Sequence, residues 1–455
     1  MIILPPSFSR RIIYLRQMIK GQSPFPFLKE YRITEKMDEN TFRAYQLKKL
    51  KKLLWCAYVH IPYYHKKFKE AGFHPSQFNS FEDMEKIPVL TKKDIQEHYR
   101  EMIDPKKPKK FYNIYRTGGS TGEPTRFYLN KLILARKSAS MWRLRGWWGI
   151  NPGDKYVAFR CPREPILPGI RDKLKINLQR LLDNLENVLE CSVYEISDNN
   201  MHRYFKDIRK FKPVWMYGYT SAIYMFAKFI LENHLPGKEL GIKKIIVTAD
   251  PVFPYHRSTI EEAFGARVIA EYGCAEAGII AFECPRGGFH IVEDEIYLEI
   301  VKDGKPVKEG EWGEVLITTI NSLYSPFIRY AVGDISAISS QRCECGRPFL
   351  LLRDVKGRVF EYVLTPTGEK VYGDFFVRIL KHLPEVRNLR IIQKTLNKII
   401  IELAPQPLSS EKERFVKLHI WKRFGKDVKI EFRYFPELKK TRSGKFMWVI
   451  SELEK

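Results

Sequence analysis

The sequence contains no apolar run approaching the ~18 residues that a membrane-spanning helix needs. Its first segment, MIILPPSFSRRIIYLRQMIK, is interrupted by prolines and arginines and lacks the ordered zones of a signal peptide. It also contains no internal repeat and no low-complexity tract. These absences disfavour membrane-spanning, secreted and repeat architectures, so we expect a cytoplasmic globular protein.

Cysteine is scarce, with seven residues in 455, and the odd count argues against a disulfide framework. Three cysteines and one histidine nevertheless fall within one β-rich region, and three thiolates with an imidazole suit tetrahedral Zn²⁺. Only folding could join the two halves of this set, because 52 residues separate them. The set is a candidate structural zinc site, the alternative being reduced cysteines beside a surface histidine. Its members are Cys284, His290, Cys343 and Cys345.

Acidic residues are too few to balance the basic ones, which leaves a net charge of +25. Residues 1–110 alone hold 23 basic and 12 acidic residues. A basic surface favours anionic partners, of which an anionic membrane or a polysaccharide is a candidate here. Nucleic acid is disfavoured, because no basic recognition helix, zinc finger or RNA-binding aromatic signature accompanies the charge. The alternative is a solvated basic face without a partner.

The chain is too long for a single hydrophobic core, so we expect two or three domains. Residues 1–110 have a mainly helical pattern. From residue 111, β-prone runs such as DKYVAFR and KKIIVTAD alternate with helical stretches such as TSAIYMFAKFILENH, which predicts an α/β sheet architecture. Residues 285–355 are β-rich.

The last hundred residues have the pattern of a small α+β unit. We expect strands near 359–364 and 390–403, a helix near 409–423 and a strand at 427–434. The sequence therefore predicts a large N-terminal domain, 1–355, and a small C-terminal domain, 356–455.

A glycine-rich loop lies in the stretch YRTGGSTGEPTRFYLN. It lacks the Gly-Lys-Ser/Thr ending of a Walker A loop, because Glu123 and Pro124 follow Gly122. Its flanks are aromatic and β-prone, which predicts a strand–loop–strand arrangement. The glycines permit close approach of an anion and the hydroxyls can donate to phosphate oxygens, the alternative being a hairpin without a ligand. The candidate phosphate-binding residues are Thr117, Gly118, Gly119, Ser120, Thr121, Gly122 and Thr125.

Six short motifs, taken in order, resemble those of the adenylate-forming superfamily of acyl-CoA synthetases, adenylation domains and luciferases. They are TGGSTGEPT (117–125), TAD (248–250), EYGCAEAG (271–278), RYAVGD (329–334), GRVFEY (357–362) and KKTRSGKF (439–446). The match is closest to the phenylacetate–CoA ligase-like branch, which includes proteins encoded with capsular polysaccharide genes. The resemblance implies an α/β fold: a large multi-layer N-terminal domain and a small mobile α+β C-terminal domain.

The resemblance also implies roles for single residues. The loop would hold the β- and γ-phosphates of ATP, although Glu123 stands where the family usually has a lysine. Glu276 would ligate Mg²⁺, and Lys445 would contact the carboxylate and the α-phosphate. The remaining nucleotide-binding residues implied, for adenine and ribose, are Ala249, Asp250, Tyr272, Gly273, Asp334 and Arg358.

The implied chemistry is ATP-dependent activation of a carboxylic acid as an acyl-adenylate, followed by transfer to an acceptor. Coenzyme A is the expected acceptor, and an amine is the second choice. A catalytically lapsed relative that binds an anionic partner is the alternative from a different class. The acyl pocket would combine small and aromatic residues that suit an aryl or other flat acid, unless the aromatics are plain core. Its candidates are Tyr217, Gly218, Tyr219, Ala275, Ala277 and Gly278.

Overall fold

The computed structural model describes residues 4–116, 125–160, 178, 181–193, 198–358, 362–380, 383, 385–438 and 449–453. The chain divides into two compact units. The first comprises Met1–Val252, His256–Val332 and Ser336–Asp354, and the second comprises Phe253–Tyr255, Gly333–Ile335 and Val355–Lys455.

The N-terminal region is helical, as the sequence predicts. Its helices are α1 (Pro6–Ile19), α2 (Phe25–Thr34), α3 (Glu39–His60), α4 (Pro62–Glu70) and α5 (Lys92–His98). Local caps fix their starts: the carboxylate of Asp38 accepts from the amide of Thr41, and the hydroxyl of Thr91 accepts from the amide of Asp94. In the described part of the chain, no helix has the length and apolar character needed to cross a bilayer.

The expected strand–loop–strand arrangement around the glycine-rich loop is confirmed. Strands β1 (Tyr112–Arg116) and β2 (Arg126–Asn130) pair antiparallel, with Arg116 opposite Arg126. A helix, α6 (Lys131–Gly146), begins only after β2, where the side chain of Asn130 accepts from the amide of Ile133. The loop therefore connects two paired strands, unlike a Walker A loop.

Five parallel strands form one half of the main sheet, in the spatial order β4-β3-β5-β6-β7. The chain passes from β3 to β4 on one side and then returns to β5 on the other. This reversal creates a topological switch point, which in α/β sheets is where ligands bind. The strands are β3 (Tyr156–Arg160), β4 (Val188–Ser192), β5 (Trp215–Tyr219), β6 (Lys244–Thr248) and β7 (Arg267–Cys274). The helices of this region are α7 (Asp198–Phe211), α8 (Thr220–Glu232) and α9 (Pro254–Phe264).

The sheet continues beyond β7 through β8, which is antiparallel to it. The twelve strands found in the described ranges follow the order β11-β10-β12-β13-β14-β9-β8-β7-β6-β5-β3-β4. The added strands are β8 (Gly278–Glu283), β9 (Phe289–Ile291), β10 (Ile296–Lys302), β11 (Lys305–Pro306), β12 (Gly313–Thr319), β13 (Tyr330–Ser339) and β14 (Leu351–Arg358).

The second unit contains a four-stranded sheet of order β19-β18-β17-β20 and a short β15–β16 pair. Its strands are β15 (Tyr362–Leu364), β16 (Lys370–Tyr372), β17 (Val386–Thr395), β18 (Lys398–Pro405), β19 (Lys429–Tyr434) and β20 (Val449–Ser451). Its helices are α10 (Gly373–Leu380) and α11 (Ser410–Phe424).

The prediction of a single strand at 390–403 was wrong. The run at 390–403 belongs to two antiparallel strands, β17 and β18, which turn at Leu396 and Asn397. The sequence pattern predicted one strand because apolar residues continue on both sides of a turn that contains neither glycine nor proline. The expected helix and last strand are present with bounds shifted by one or two residues.

Candidate functional site

Three of the predicted site segments follow the carboxyl ends of neighbouring parallel strands. Tyr219 ends β5, Ala249 and Asp250 follow β6, and the turn Ala275–Ala277 follows β7. Because β5, β6 and β7 are adjacent and parallel, these ends share one edge of the sheet. The edge also includes the switch point between β3 and β5, where open α/β sheets bind ligands. The sheet topology therefore brings together segments about 30 residues apart in sequence.

Two glycines allow the backbone to pack closely at this edge. A Cβ atom at Gly218 would lie 2.3 Å from the carbonyl oxygen of Phe159 on β3. A Cβ atom at Gly273 would lie 2.3 Å from the carbonyl oxygen of Gly278 on β8. Any larger residue would push the strands apart, so both positions require glycine.

The TAD segment is held in an unusual backbone conformation. Ala249 has a φ of 72°, in the left-handed region that residues other than glycine rarely adopt. The hydroxyl of Thr220 donates to the carbonyl oxygen of Asp250 over 3.1 Å. The amide and hydroxyl of Ser221 donate to the Asp250 carboxylate over 3.2 and 2.6 Å. The carboxylate of Asp250 is thus occupied by hydrogen bonds within the protein. The backbone of the TAD segment is therefore the part that remains available to a ligand.

Glu276 lies in the turn between β7 and β8 and is almost fully buried. The hydroxyl of Tyr330 donates to its Oε1 atom over 3.2 Å. No lysine or arginine of the described chain forms an ion pair with this carboxylate, whereas the buried Glu299 and Glu283 each pair with an arginine. The carboxylate of Glu276 therefore forms no ion pair among the described residues, although the charge of Lys137 lies close enough to interact with it.

Lys137 on α6 supports the same turn, and sequence reasoning missed it. Its Nζ donates to the carbonyl oxygens of Ala275 and Glu276 over 2.9 and 2.8 Å. Burial lowers the pKa of Lys137 to about 8, while the neighbouring Cys274 and Glu276 act in the opposite direction. Nothing near Lys137 in sequence marks it, since its contacts lie 138 and 139 residues away.

The RYAVGD motif begins at an anchored arginine that the sequence analysis also left out. Arg329 has a φ of 47° and is 2% exposed. Its guanidinium pairs with Glu299 over 3.1 Å and donates to the carbonyl oxygen of Ile87 over 2.6 Å. This anchor fixes the start of β13 and so places Tyr330 against Glu276.

The remaining predicted nucleotide residues are distributed as follows. Asp334 lies on β13 after Gly333, whose φ is 84°, and it belongs to the second unit together with Arg358 at the end of β14. Thr125 is fully buried, and its hydroxyl oxygen finds no hydrogen-bond partner in the described chain. The remaining positions lie outside the described residues: Thr117, Gly118, Gly119, Ser120, Thr121, Gly122 and Lys445.

The predicted acyl-pocket residues lie on β5 and on the β7–β8 hairpin, with β6 between them. The hydroxyl of Tyr217 donates to Oε1 of Glu271 over 3.1 Å. Burial raises the pKa values of both side chains. Tyr219 packs against the apolar core, Ala277 is buried and Ala275 is exposed. The sequence analysis did not predict a role for Glu271, whose carboxylate accepts the hydrogen bond from Tyr217.

The fold also brings together the four predicted zinc ligands. One ligand atom from each of Cys284, His290, Cys343 and Cys345 lies within 4.8 Å of the others. Sγ of Cys345 lies 3.2 Å from Nε2 of His290, and Sγ of Cys284 lies 3.6 Å from Sγ of Cys343.

The surroundings of the histidine suit metal binding. Nδ1 of His290 lies 3.3 Å from the carbonyl oxygen of Phe349, to which its N–H can donate, leaving the lone pair of Nε2 directed towards the thiols. Burial lowers the pKa of His290 to about 4, which keeps the ring neutral. A Cβ atom at Gly288 would lie 2.7 Å from Sγ of Cys343, so the cluster needs glycine there.

Comparison with known proteins supports the resemblance found in the motifs. Residues 363–452 match the model of the CapK C-terminal domain family. The chain is 25% identical to phenylacetate–coenzyme A ligase of Thermus thermophilus over 77% of its length and 78% of the relative. It is 24% identical to protein CapK of Staphylococcus aureus, over 82% and 81% of the two chains. It is 26% identical to indoleacetate–lysine synthetase of Pseudomonas savastanoi, over 38% and 44%.

A solved structure has the same fold. The 2-hydroxyisobutyryl-CoA ligase in its postadenylation state superposes with a TM-score of 0.74 at 21% identity, covering 92% of this chain and 91% of that one. The chain has the fold of the adenylate-forming CoA ligases. Its relatives over most of the chain include phenylacetate–coenzyme A ligases and CapK, and the matching family model covers the C-terminal region.

Proposed function

We propose that the protein is an ATP-dependent ligase that activates a carboxylic acid. The acid's carboxylate attacks the α-phosphorus of ATP, forming an acyl-adenylate and releasing pyrophosphate. The observation that carries this proposal is the arrangement of Tyr219, Ala249–Asp250 and Glu276 along one edge of adjacent parallel strands. Ala249–Asp250 and Glu276 belong to two of the six motifs that resemble the adenylate-forming family, and Tyr219 is a candidate acyl-pocket residue.

Charge neutralisation is the main task of such a site, because the acid and the triphosphate repel each other. Glu276 fits as a ligand of Mg²⁺, because its buried carboxylate forms no ion pair among the described residues and Mg²⁺ prefers carboxylate oxygens. When bound, Mg²⁺ would offset phosphate charge. The protein itself would neutralise charge through two groups. The amides and hydroxyls of the loop 117–125 would hold the β- and γ-phosphates, and Lys445 would contact the reacting carboxylate.

Coenzyme A is the acceptor that the relatives favour. In that step the thiol attacks the acyl carbon, the thioester forms and AMP leaves. An amine acceptor is the second candidate, supported by the similarity to indoleacetate–lysine synthetase. Adding coenzyme A or lysine to the adenylation reaction distinguishes them, because only the true acceptor converts the adenylate into a stable thioester or amide.

Pyrophosphate release tests the proposal directly. Purified protein with Mg²⁺ and ATP is screened against aryl, fatty, amino and uronic acids. We expect acid-dependent release with at least one class, most strongly with aryl or other flat acids. Release with none of the classes would contradict the ligase proposal and favour a lapsed relative that only binds an anionic partner.

A matched pair of lysine variants tests the assignment of Lys445. Lys445→Ala should reduce acid-dependent pyrophosphate release by at least 100-fold, since a charge-neutralising contact of this kind is worth about 3 kcal/mol. Lys302→Ala removes an exposed lysine on β10 and should have no effect. Equal activity of the two variants would refute the role of Lys445.

We further propose that the four-residue cysteine–histidine cluster binds a structural Zn²⁺. Three thiols and one neutral imidazole converge within tetrahedral reach, and the outer nitrogen of the histidine is oriented by a backbone carbonyl. The ion would tie β9 to the segment that carries Cys343 and Cys345. This role is structural, since all four ligand positions are filled by protein groups.

A candidate surface for binding an anionic partner lies on α1 and α2. The outer face of α1 exposes four large apolar residues, with Ile19 78% and Leu15 59% exposed. They recur at helical spacing around Arg11, which is also exposed. The four are Phe8, Leu15, Met18 and Ile19. We propose that this face binds an anionic lipid surface, as amphipathic basic helices do.

The charges near this face favour lipid over a second copy of the chain. Residues 4–37 contain seven basic residues and two acidic ones, Glu30 and Glu35. Both acidic residues already contact arginines of α6, namely Arg136 and Arg143. Two copies joined through α1 would oppose like charges, whereas anionic headgroups would complement them.

Vesicle sedimentation tests this surface. We expect the protein to sediment with phosphatidylcholine vesicles containing phosphatidylglycerol, and not with phosphatidylcholine alone. Leu15→Glu with Ile19→Glu should abolish sedimentation, whereas Leu418→Glu, at an exposed apolar site in the second unit, should not. Absence of sedimentation with either vesicle, or a dimer that the α1 variant dissociates, would contradict the proposal.

A further inference from the structure

One buried arginine of α6 has no hydrogen-bonding partner. Arg145 is 5% exposed, and its side chain forms no hydrogen bond or ion pair in the part of the chain that the structure describes. The other two buried arginines of the same helix are paired: Arg136 with Glu295 over 2.7 Å, and Arg143 with Asp294. A buried guanidinium without partners is costly, and natural proteins rarely retain one without a reason.

The neighbours of Arg145 are aromatic. Its guanidinium carbon lies 4.9 Å from the ring centroids of Trp215 and Tyr217 and 5.3 Å from that of Trp142. Ring faces stabilise the positive charge, but they do not accept its N–H groups as oxygen atoms would. The aromatic rings therefore stabilise the buried charge of Arg145 but leave its N–H groups without hydrogen-bond acceptors.

Three further polar atoms around this arginine share its lack of partners. The indole nitrogens of Trp142 and Trp215 are buried without an acceptor among the described residues, as is Nε of Arg145. Oε2 of Glu271 has no donor in hydrogen-bonding geometry among the described residues, although Oε1 accepts from Tyr217 and the side chain of Thr248 lies close to this carboxyl. Three donors and one acceptor are thus left open in one group of side chains, which is more than chance usually leaves in one place.

This group extends along the sheet from Trp215, the first residue of β5, towards the edge that carries the predicted site. Tyr217 is two residues before the end of β5, and Glu271 is three residues before the end of β7. The strand ends themselves carry the acyl-pocket residues Tyr219 and Ala275. A ligand bound at that edge could therefore extend towards the open donors and the open acceptor.

We propose that Arg145, Trp142, Trp215 and Glu271 form a subsite that recognises a polar group on the acid substrate. The group would accept hydrogen bonds from the guanidinium and the indoles and donate one to Glu271, as a hydroxyl can. Aromatic walls favour a ring that carries it. This inference rests on the proposed ligase function, and it narrows the substrate to hydroxylated ring acids in preference to plain hydrocarbon acids.

The stability of arginine variants separates a ligand-binding role from a structural one. Arg145→Met removes a guanidinium that forms no hydrogen bond or ion pair among the described residues, and with it only the attraction between this charge and Glu271, so we expect at most a small decrease in the thermal midpoint. Arg143→Met breaks the pair with Asp294 and should lower the midpoint. An Arg145→Met midpoint lowered as much as that of Arg143→Met would overturn the proposal.

Substrate selectivity provides the second measurement. We expect wild type to use 4-hydroxyphenylacetate with a kcat/KM at least tenfold above that for phenylacetate. Arg145→Met should raise the KM for the hydroxylated acid at least tenfold while leaving the KM for ATP unchanged, so the preference disappears. Equal preference in wild type and variant would refute the subsite.

A binding measurement keeps this test independent of catalysis. Thermal shifts of wild type and Arg145→Met are recorded with each of the two acids in the absence of ATP. A larger shift with 4-hydroxyphenylacetate in wild type alone supports the subsite even if no pyrophosphate is released. Equal shifts with both acids, or none with either, would overturn the inference whatever the outcome for ligase activity.

Discussion

The hydroxyl of Tyr330 donates a hydrogen bond to Oε1 of Glu276 over 3.2 Å, and both residues are buried. This contact joins the EYGCAEAG and RYAVGD motifs, which are 54 residues apart at this point. A hydrogen bond of this type would fix the orientation of the carboxylate for the proposed binding of Mg²⁺. Tyr330 thus positions Glu276 without itself needing to touch the substrate.

Replacing Glu276 should impair adenylation more strongly than removing the hydroxyl of Tyr330. Glu276→Gln should reduce acid-dependent pyrophosphate release at least 100-fold, because the amide is a poor Mg²⁺ ligand. Tyr330→Phe should reduce it about three- to tenfold, in line with the ~0.5–1.5 kcal/mol of one hydrogen bond, and should raise the Mg²⁺ concentration needed. Tyr128→Phe is the control, at a tyrosine of β2 whose ring contacts those of Tyr99 and Tyr112 and would be kept by phenylalanine. Wild-type Mg²⁺ dependence in Tyr330→Phe would contradict the positioning role.

Loss of Lys137 should loosen the turn that carries Glu276. Lys137→Met leaves the carbonyl oxygens of Ala275 and Glu276 without their donor, so we expect kcat to fall about tenfold. Lys137→Arg keeps a donor and should retain more activity. The control is Lys131→Met at the start of the same helix, which should match wild type. Steady-state pyrophosphate release measures the effect, and a kcat for Lys137→Met equal to wild type would refute it.

The cysteine–histidine cluster should contain metal after purification. We expect about one zinc per chain by elemental analysis and a lower thermal midpoint after treatment with a chelator. Cys345→Ser should lose the zinc and lower the midpoint by several degrees. Cys56→Ser, at a free cysteine on α3, should do neither. Absence of stoichiometric zinc from the wild-type protein would end this proposal.

The carboxylate of Glu30 should make stability depend on acidic pH. Burial would raise the pKa of Glu30, but the hydrogen bond and charge of Arg136, with help from Lys49, lower it to about 2. A carboxyl whose folded pKa lies below its unfolded value stabilises the fold above about pH 4.5, and this contribution is lost as the pH falls towards 2. The residue ties α2 to α6.

Glu30→Gln should therefore lower the free energy of unfolding at pH 7 by about 1–2 kcal/mol, after allowance for solvent screening of a partly exposed pair. The difference from wild type should shrink as the pH falls from 5 to 3. Urea unfolding at pH 7, 5, 4 and 3 measures it, with the exposed Glu262→Gln as control. A difference that stays constant over this range would show that Glu30 is not the titrating group.

Several features followed from the sequence because their causes are local. The order of the motifs is visible in the chain itself, and so is the strand–loop–strand form of residues 115–130, where Pro124 and β-prone flanks oppose a helix. The helical N-terminal region follows from apolar periodicity and nearby caps such as Thr91. The turn at Leu396–Asn397 was not predicted because it contains neither glycine nor proline, and Asn397 alone did not outweigh the apolar residues on both sides.

Other features were decided only by the tertiary structure, because their partners are distant in sequence. Lys137 supports a turn 138 residues away. Cys284 meets Cys343 only because of the way the sheet folds. Arg143 and Arg145 are the same residue type two positions apart on one helix, yet among the described residues Arg143 forms an ion pair, with Asp294 151 residues later, and Arg145 forms none. Sequence determines which groups the chain carries, whereas strand pairing and helix packing determine which of them meet and which remain open for a ligand.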